Sequence, residues 1–370
     1  MTVGVLGAGQ LGQMLALAGA PLGLKLRFLD HTPNAPAGQV AEQIVGEFQD
    51  AAALDRFAAG LDVATLEFEN VPVEAVERLA KRVPTFPPAA ALRTAQDRVL
   101  EKACFEAMKI ATTRWAAVEG RSALAGAVEK IGVPCVLKTR RLGYDGKGQS
   151  VIREKSAAAL DCAWSDVAGQ PSIVEELVAF DREVSIIGVR GRDGACEFYP
   201  LIENRHAGGI LRESRMSETP PPQVLQREAE SACRAVLERF GYVGVLTIEF
   251  FEREGRLIAN EMAPRVHNSG HWTIEGATVS QFEMHLRAVC GMKLPAPRVV
   301  GASIMLNIIG AAPSLDLLQA VPGARVHMYG KQERPGRKLG HVTLTGDSLR
   351  AIEPAAARVR LLLDPPGQKK

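Results

Sequence analysis

Two glutamates stand out for their surroundings. Glu249 lies in the apolar run Thr247-Ile248-Glu249-Phe250-Phe251, and Glu261 follows Asn260 on the next strand-like run. The short turn Glu252-Arg253-Glu254-Gly255 separates them. A charge flanked by apolar residues in a strand needs a compensating partner. Two carboxylates and an amide from one hairpin suit Mg²⁺, which takes oxygen ligands and shares substrate phosphates. Two solvent-facing glutamates would leave the same pattern. Directly after them comes Ala263-Pro264-Arg265-Val266-His267-Asn268-Ser269-Gly270-His271-Trp272-Thr273. A loop this polar beside a metal site reads as a substrate loop. His206, in Glu203-Asn204-Arg205-His206, fits either a site or a hydrogen-bonded loop.

Two glycine-rich segments suggest phosphate. Gly7-Ala8-Gly9-Gln10-Leu11-Gly12 follows a strand-like run and precedes a helical one, with Asp30 ending the next strand. Such a turn offers the free N–H groups of a helix N-terminus to a phosphate, as in dinucleotide-binding folds. A nicotinamide site needs a second half that this short unit lacks, so a simple phosphate turn fits better. The other segment is Gly143-Tyr144-Asp145-Gly146-Lys147-Gly148-Gln149, preceded by Lys138 at a strand end. No Ser or Thr follows Lys147 and a strand comes next, so it is not a Walker A loop. It reads as a flap whose N–H groups close over a triphosphate.

Weaker signals complete the set. Glu175-Glu176-Leu177-Val178 and Glu183 follow or open buried strands, where backbone groups can read adenine and a carboxylate can accept ribose hydroxyls. Lys331, Arg334, Arg337, Lys338 and His341 alternate with Gly330, Gly336 and Gly340. That basic loop suits a phosphomonoester, and a solvated turn is the alternative. If it binds one, the turn at residues 7–12 can serve the same phosphate.

The elements that position these groups change in character along the chain. Thr2–Leu6, Lys25–Asp30 and Asp62–Glu67 read as strands, and Leu11–Ala20 and Val73–Lys81 as helices, which implies a parallel sheet. Pro84, Pro87 and Pro88 mark a boundary. Gln96 to Met108 is a helix with Val99, Leu100, Ala103, Phe105 and Met108 as its apolar face. Strands at Val133–Lys138, Gln149–Arg153, Ser172–Leu177, Glu183–Val189, Gly244–Phe251 and Arg256–Met262 are mostly joined by short turns, hence antiparallel. A last unit from Gly301 holds strands at Ser303–Ile308, Arg325–Tyr329 and Gly340–Thr345, with a helix after Pro354. The division is 1–92, 93–300 and 301–370.

The chain has 370 residues with a net charge of +2, which speaks against a general binder of nucleic acid or membrane surface. Its six cysteines form no C-x-x-C pair, as expected of reduced thiols in the cytoplasm and not of a zinc site. No basic segment precedes an early apolar stretch, so no secretion signal is expected.

Taken in order, these residues resemble the 5-(carboxyamino)imidazole ribonucleotide synthetase family of purine biosynthesis. The marks are Gly9-Gln10-Leu11-Gly12, Glu67-Phe68-Glu69-Asn70, Gly143 to Gln149, Asn260 to Arg265, His267 to Thr273 and Arg334 to His341. The resemblance implies an α/β and α+β ATP-grasp fold: a Rossmann-like N-terminal domain with a parallel sheet, a central grasp domain and a small β-rich C-terminal unit. It implies a homodimer that makes carboxyphosphate from ATP and bicarbonate and carboxylates aminoimidazole ribonucleotide. It places ATP against Arg98, Lys138, Gly143 to Gln149, Glu175 to Val178, Glu183, His206, Asn260 and Glu261. It gives Mg²⁺ to Glu249 and Glu261. Catalytic roles fall to Arg265, His267, Tyr144, Asp145 and Lys331, and the ribonucleotide to Gln10, Leu11, Glu69, Lys331, Arg337 and Lys338. Ala8, Gln13 and Val266 depart from the family's common residues, and the run Met216 to Pro222 is unfamiliar. A formate-using glycinamide ribonucleotide transformylase shares the flap and the metal pair. A nicotinamide-dependent reductase explains only the first glycine turn, and the intact carboxylate pair argues against a silent nucleotide-binding module.

Overall fold

In the computed structural model, residues 1–143 and 148–364 are described. The first sheet joins β1 (Thr2–Leu6), β2 (Lys25–Asp30), β3 (Glu42–Val45) and β4 (Val63–Leu66) in the order β3-β2-β1-β4, all parallel. β1 and β4 are buried along almost their whole length, which is why they read as continuous apolar runs. The helix Gln10–Gly19 starts directly from the glycine turn after β1.

The second sheet holds β5 (Trp115–Val118), β6 (Cys135–Thr139), β7 (Gln149–Ile152) and β8 (Ser172–Glu176) in the antiparallel order β5-β8-β6-β7. The third is larger. It holds β9 (Arg182–Arg190), β10 (Cys196–Phe198), β11 (Ile202–Ala207), β12 (Ile210–Met216), β13 (Gly244–Arg253), β14 (Arg256–Ala263), β15 (Ala302–Ile309), β16 (Ala324–Met328) and β17 (Lys338–Gly346). Their order is β14-β13-β9-β11-β12-β15-β17-β16, with β10 on β9. The last strands therefore do not make a sheet of their own. β15 pairs with β12 and carries the sheet onward.

Two helices differ from expectation. The C-terminal helix Leu349–Leu363 begins before Pro354 and contains it, because Ser348 caps the first turn by accepting from the Ala351 N–H. In the helix Arg98–Ala107 the buried residues are Glu101, Lys102 and Phe105, while Leu100 is exposed. Of the face taken as apolar, Phe105 is buried and Met108 packs against the core, while Glu101 and Lys102 complete the packed face in place of Leu100 and Ala103. Asp97 caps this helix through the Val99 and Leu100 N–H groups and is held by Arg140 and Arg141. All six cysteines are free. Among the described residues no helix is long and apolar enough to cross a membrane.

Candidate active site

The floor of the candidate site is the β13–β14 hairpin. Glu249 and Glu261 are direct register partners, with an irregularity immediately after Glu249. Partners opposite each other in an antiparallel pair carry their Cβ atoms roughly 5 Å apart on one face. Glu249 Oε1 lies 3.1 Å from His267 Nε2, and its other oxygen 4.0 Å from His206 Nε2. Burial pushes the Glu249 carboxyl up, but the bond from His267 and the charges of His267 and His206 overcome it and hold it at about 2. Arg98 Nη1 donates to Glu261 at 2.8 Å. Asn260 Oδ1 is buried without a hydrogen-bond partner. Two facing carboxylates and an unanswered amide oxygen fit Mg²⁺, whose remaining ligands come from phosphates and water. Among the described residues no group of three or more His, Cys, Asp or Glu is placed to hold a metal ion.

Behind this floor lies a charged layer that sequence reasoning missed. Lys102 is 1% exposed. Its Nζ donates to Thr112 Oγ1 at 3.0 Å, Ala259 O at 3.2 Å and Asn260 O at 2.8 Å, and sits 3.1 Å from Glu175. Glu101 accepts from the Met262 N–H at 2.6 Å. Burial, then the charge of Glu261, pushes its carboxyl up to about 8. Both side chains brace β14 on either side of Glu261. The signal was present as Arg98, Glu101, Lys102 and Phe105, which share one helical face.

The second sheet supplies the opposite wall. Glu175 points inward, where Lys138 lies 3.0 Å from it, and Thr113 donates to it at 2.8 Å. Burial works to raise this carboxyl, but Lys138, Lys102 and Arg98 hold it well below the usual range. Its carboxylate thus serves two lysines and is not offered to a ribose. Glu176 takes Arg114 at 2.5 Å, Leu177 is exposed, and Val178 is buried. Glu183 bonds His206 Nδ1 at 2.9 Å. The two ends of the flap are tied by Thr139 N–H to Gly148 O at 2.7 Å, and Gln149 pairs with Lys138. Gly148 has φ +67°, and a Cβ there would lie 2.7 Å from Thr139 Oγ1. Gly143 O accepts from Arg98 at 3.4 Å. Tyr144, Asp145, Gly146 and Lys147 lie outside the described residues.

The loop after β14 meets the N-terminal sheet. Arg265 pairs with Glu69, whose carboxyl it holds at about 2 against the effect of burial. Gln281 clamps the His267 backbone from both sides, accepting from its N–H at 2.9 Å and donating to its O at 2.6 Å. The basic segment is the β16–β17 connection. Lys331 donates to Gln10, and Arg337 donates to Gln332 O at 3.3 Å. Lys338 adds positive charge that acts on Glu249. His341 is not part of this loop. It is buried in β17, stacked on His327 at 4.4 Å and bonded to Tyr329 at 2.7 Å.

At the glycine turn most of the N–H groups are already taken. Ala8 N–H donates to Asp30 at 2.9 Å, and Gly9 and Gly12 N–H donate to Glu67 at 2.9 and 3.2 Å. Those groups are filled by the protein's own carboxylates, so only the Gln10 and Leu11 N–H groups remain for a phosphate.

Comparison with known proteins agrees over the whole chain. Residues 1–96 match the ribonucleotide synthetase preATP-grasp domain, 103–282 the ATP-grasp domain, and 303–354 the phosphoribosylaminoimidazole carboxylase C-terminal domain. An N5-carboxyaminoimidazole ribonucleotide synthase of Pseudomonas aeruginosa is 48% identical over 98% of this chain and 100% of its own. The crystal structure of the synthetase from Thermus thermophilus is 50% identical and has a TM-score of 0.91, covering 99% of this chain and 100% of that one. The synthase of Aspergillus clavatus, solved with ADP and 5-aminoimidazole ribonucleotide, is 31% identical with a TM-score of 0.88, over 97% and 98% of the two chains.

Proposed function

The chain belongs to the N5-carboxyaminoimidazole ribonucleotide synthase family of ATP-grasp enzymes, and on that premise we propose how its residues divide the work. It is a ligase that uses ATP to carboxylate 5-aminoimidazole ribonucleotide in purine biosynthesis. Bicarbonate is the carbon source: its oxygen attacks the γ-phosphorus of ATP, ADP leaves, and carboxyphosphate forms. The exocyclic amine attacks the carboxyl carbon, inorganic phosphate leaves, and a proton is lost.

The observation that carries this reading is the register pairing of Glu249 with Glu261 beside the orphaned Asn260 Oδ1. Bound there, Mg²⁺ would draw negative charge from the phosphate oxygens. Lys138 faces the triphosphate from the opposite wall, where Glu175 keeps it in place, and Arg98 faces it from beside Glu261 on the floor. Gly143, Gly148 and Gln149 are the ends of the flap that Tyr144 to Lys147 complete. Glu176, Leu177 and Val178 border the adenine, and Glu183 and His206 the ribose. Arg265, oriented by Glu69, faces the reacting carboxyl group, while His267 holds Glu249. Lys331, Arg337 and Lys338 hold the ribonucleotide phosphate near Gln10 and Leu11. The working division is 1–92, 93–300 and 301–370, in a cytoplasmic homodimer whose state sedimentation would read.

The test is phosphate release from ATP with Mg²⁺, bicarbonate and aminoimidazole ribonucleotide added or omitted one at a time. Release should require all of them. Faster turnover with formate and glycinamide ribonucleotide would replace the substrate assignment.

A further inference from the structure

The three glycines that make residues 7–12 look like a dinucleotide-binding turn are each explained by the protein itself. A Cβ on Gly7 or Gly9 would lie 2.8 Å from Glu67 Oε1, and one on Gly12 would lie 2.9 Å from the Phe28 ring. The helix Gln10–Gly19 has no side-chain cap and no acidic residue in its first turn. Its positive end therefore needs an anion from elsewhere. Glu67, one residue past β4 and 6% exposed, is that anion. Its two oxygens accept from Gly9 and Gly12 at 2.9 and 3.2 Å. The charges of Lys331 and Arg265 reach it from the other two parts of the chain. Gln10, the first residue of the helix, accepts in turn from Lys331.

We propose that Glu67 is a positioning and specificity residue, a resident carboxylate seated where the diphosphate of a dinucleotide would lie. It closes the turn to diphosphate bridges and fixes Gln10 and Leu11, with their two remaining N–H groups, against the basic loop that carries Lys331. A single phosphomonoester can still approach those two groups, whereas a diphosphate meets a filled, negatively charged seat. The placing of the ribonucleotide rests on the function proposed above. The occupied seat does not.

The test uses Glu67→Ala and Glu67→Gln in the full chain. Alanine removes the equivalent of one acetate. Its Michaelis constant for aminoimidazole ribonucleotide should rise roughly tenfold or more, as expected for lost charged hydrogen bonds, with that for ATP unchanged. Added acetate should restore it, and pyrophosphate should compete with the ribonucleotide in the alanine variant but not in the wild type. Glutamine keeps the seat filled while turning an amide N–H₂ toward a backbone N–H. It should therefore raise the same constant without rescue by acetate. An unchanged constant in Glu67→Ala, or a parallel rise for both substrates that acetate does not reverse, overturns the positioning role. Absence of pyrophosphate competition overturns the specificity role. The thermal midpoint needs no substrate: acetate should raise it in Glu67→Ala alone. A failure there overturns the anion seat even if the enzyme used another ribonucleotide.

Discussion

The glycine turn at residues 7–12 and the β13–β14 hairpin both look like ligand sites in sequence, and the structure sets them apart. In the turn, each glycine is answered inside the chain. Glu67 takes Gly9 and Gly12, Asp30 takes Ala8, and the glycines make room for those contacts. In the hairpin, one feature is left open beside two carboxylates held by His267 and Arg98. The carboxylates face each other, and Asn260 Oδ1 is buried with no partner. A glycine motif reports a backbone shape, while facing carboxylates beside an orphaned polar atom report something that is to be bound.

The largest expected effect lies in the open region. Glu249→Gln and Glu261→Gln should each lower the turnover number by roughly 10²- to 10³-fold, since several kcal/mol of charge stabilisation at the phosphates is lost. The fold should survive in both variants. The charge of Glu261 raises the Glu101 carboxyl, so removing it relieves a repulsion. Near-normal turnover in both would make the hairpin as closed as the turn and erase the contrast.

A smaller effect is expected at the basic connection between β16 and β17. On the proposed placing of the ribonucleotide, with Glu67 filling the turn, cations from this connection carry most of the phosphate binding. Arg337 Nη1 donates to Gln332 O at 3.3 Å, and its planar guanidinium can offer two parallel hydrogen bonds to a phosphate. Arg337→Ala should weaken the ribonucleotide by roughly 10- to 150-fold and leave ATP nearly untouched. Michaelis constants for both substrates decide it. Equal weakening of the two would mean a structural lesion, and no weakening would return the phosphate to the turn.

Local pattern made some of this legible and missed the rest for identifiable reasons. The strands β1 and β2 and the β13–β14 hairpin follow from apolar runs and a turn, because their neighbours are close in sequence. The packed face of Arg98–Ala107 is legible only at Phe105, because Glu101 and Lys102 beside it are charged, and partners distant in sequence, among them Asn260, Met262 and Glu175, make their burial tolerable. His341 read as part of a basic loop, since nothing nearby shows that Tyr329 and His327 enclose it within β17. Pairing of β15 with β12 joins residues about ninety positions apart, beyond any periodicity. Glu67 stood among the residues of the family resemblance, yet which N–H groups its carboxylate meets is visible only in three dimensions.

The smallest effect concerns Glu69, two residues beyond Glu67 on the same segment, and it sharpens the contrast by pH. Burial pushes both carboxyls up. At Glu67 burial prevails and the group stays raised, whereas at Glu69 Arg265 prevails and holds it at about 2. A carboxyl near 4.5 in the unfolded chain and about 2 in the folded one binds fewer protons when folded throughout that interval. Its contribution to stability is therefore complete above about pH 4.5 and fades as pH falls toward 2. Glu69→Gln keeps the shape and removes the charge. It should cost on the order of 1–2 kcal/mol at neutral pH, because the partly exposed pair is screened by solvent. The difference between wild type and variant should shrink steadily below about pH 4.5. Urea unfolding of both proteins across that range reads the difference directly, and subtracting one from the other removes the titration of every other group. A difference that stays constant down to about pH 3 would show that the Glu69–Arg265 pair adds no charge-dependent stability, and that the link between the N-terminal sheet and the substrate loop is one of shape alone.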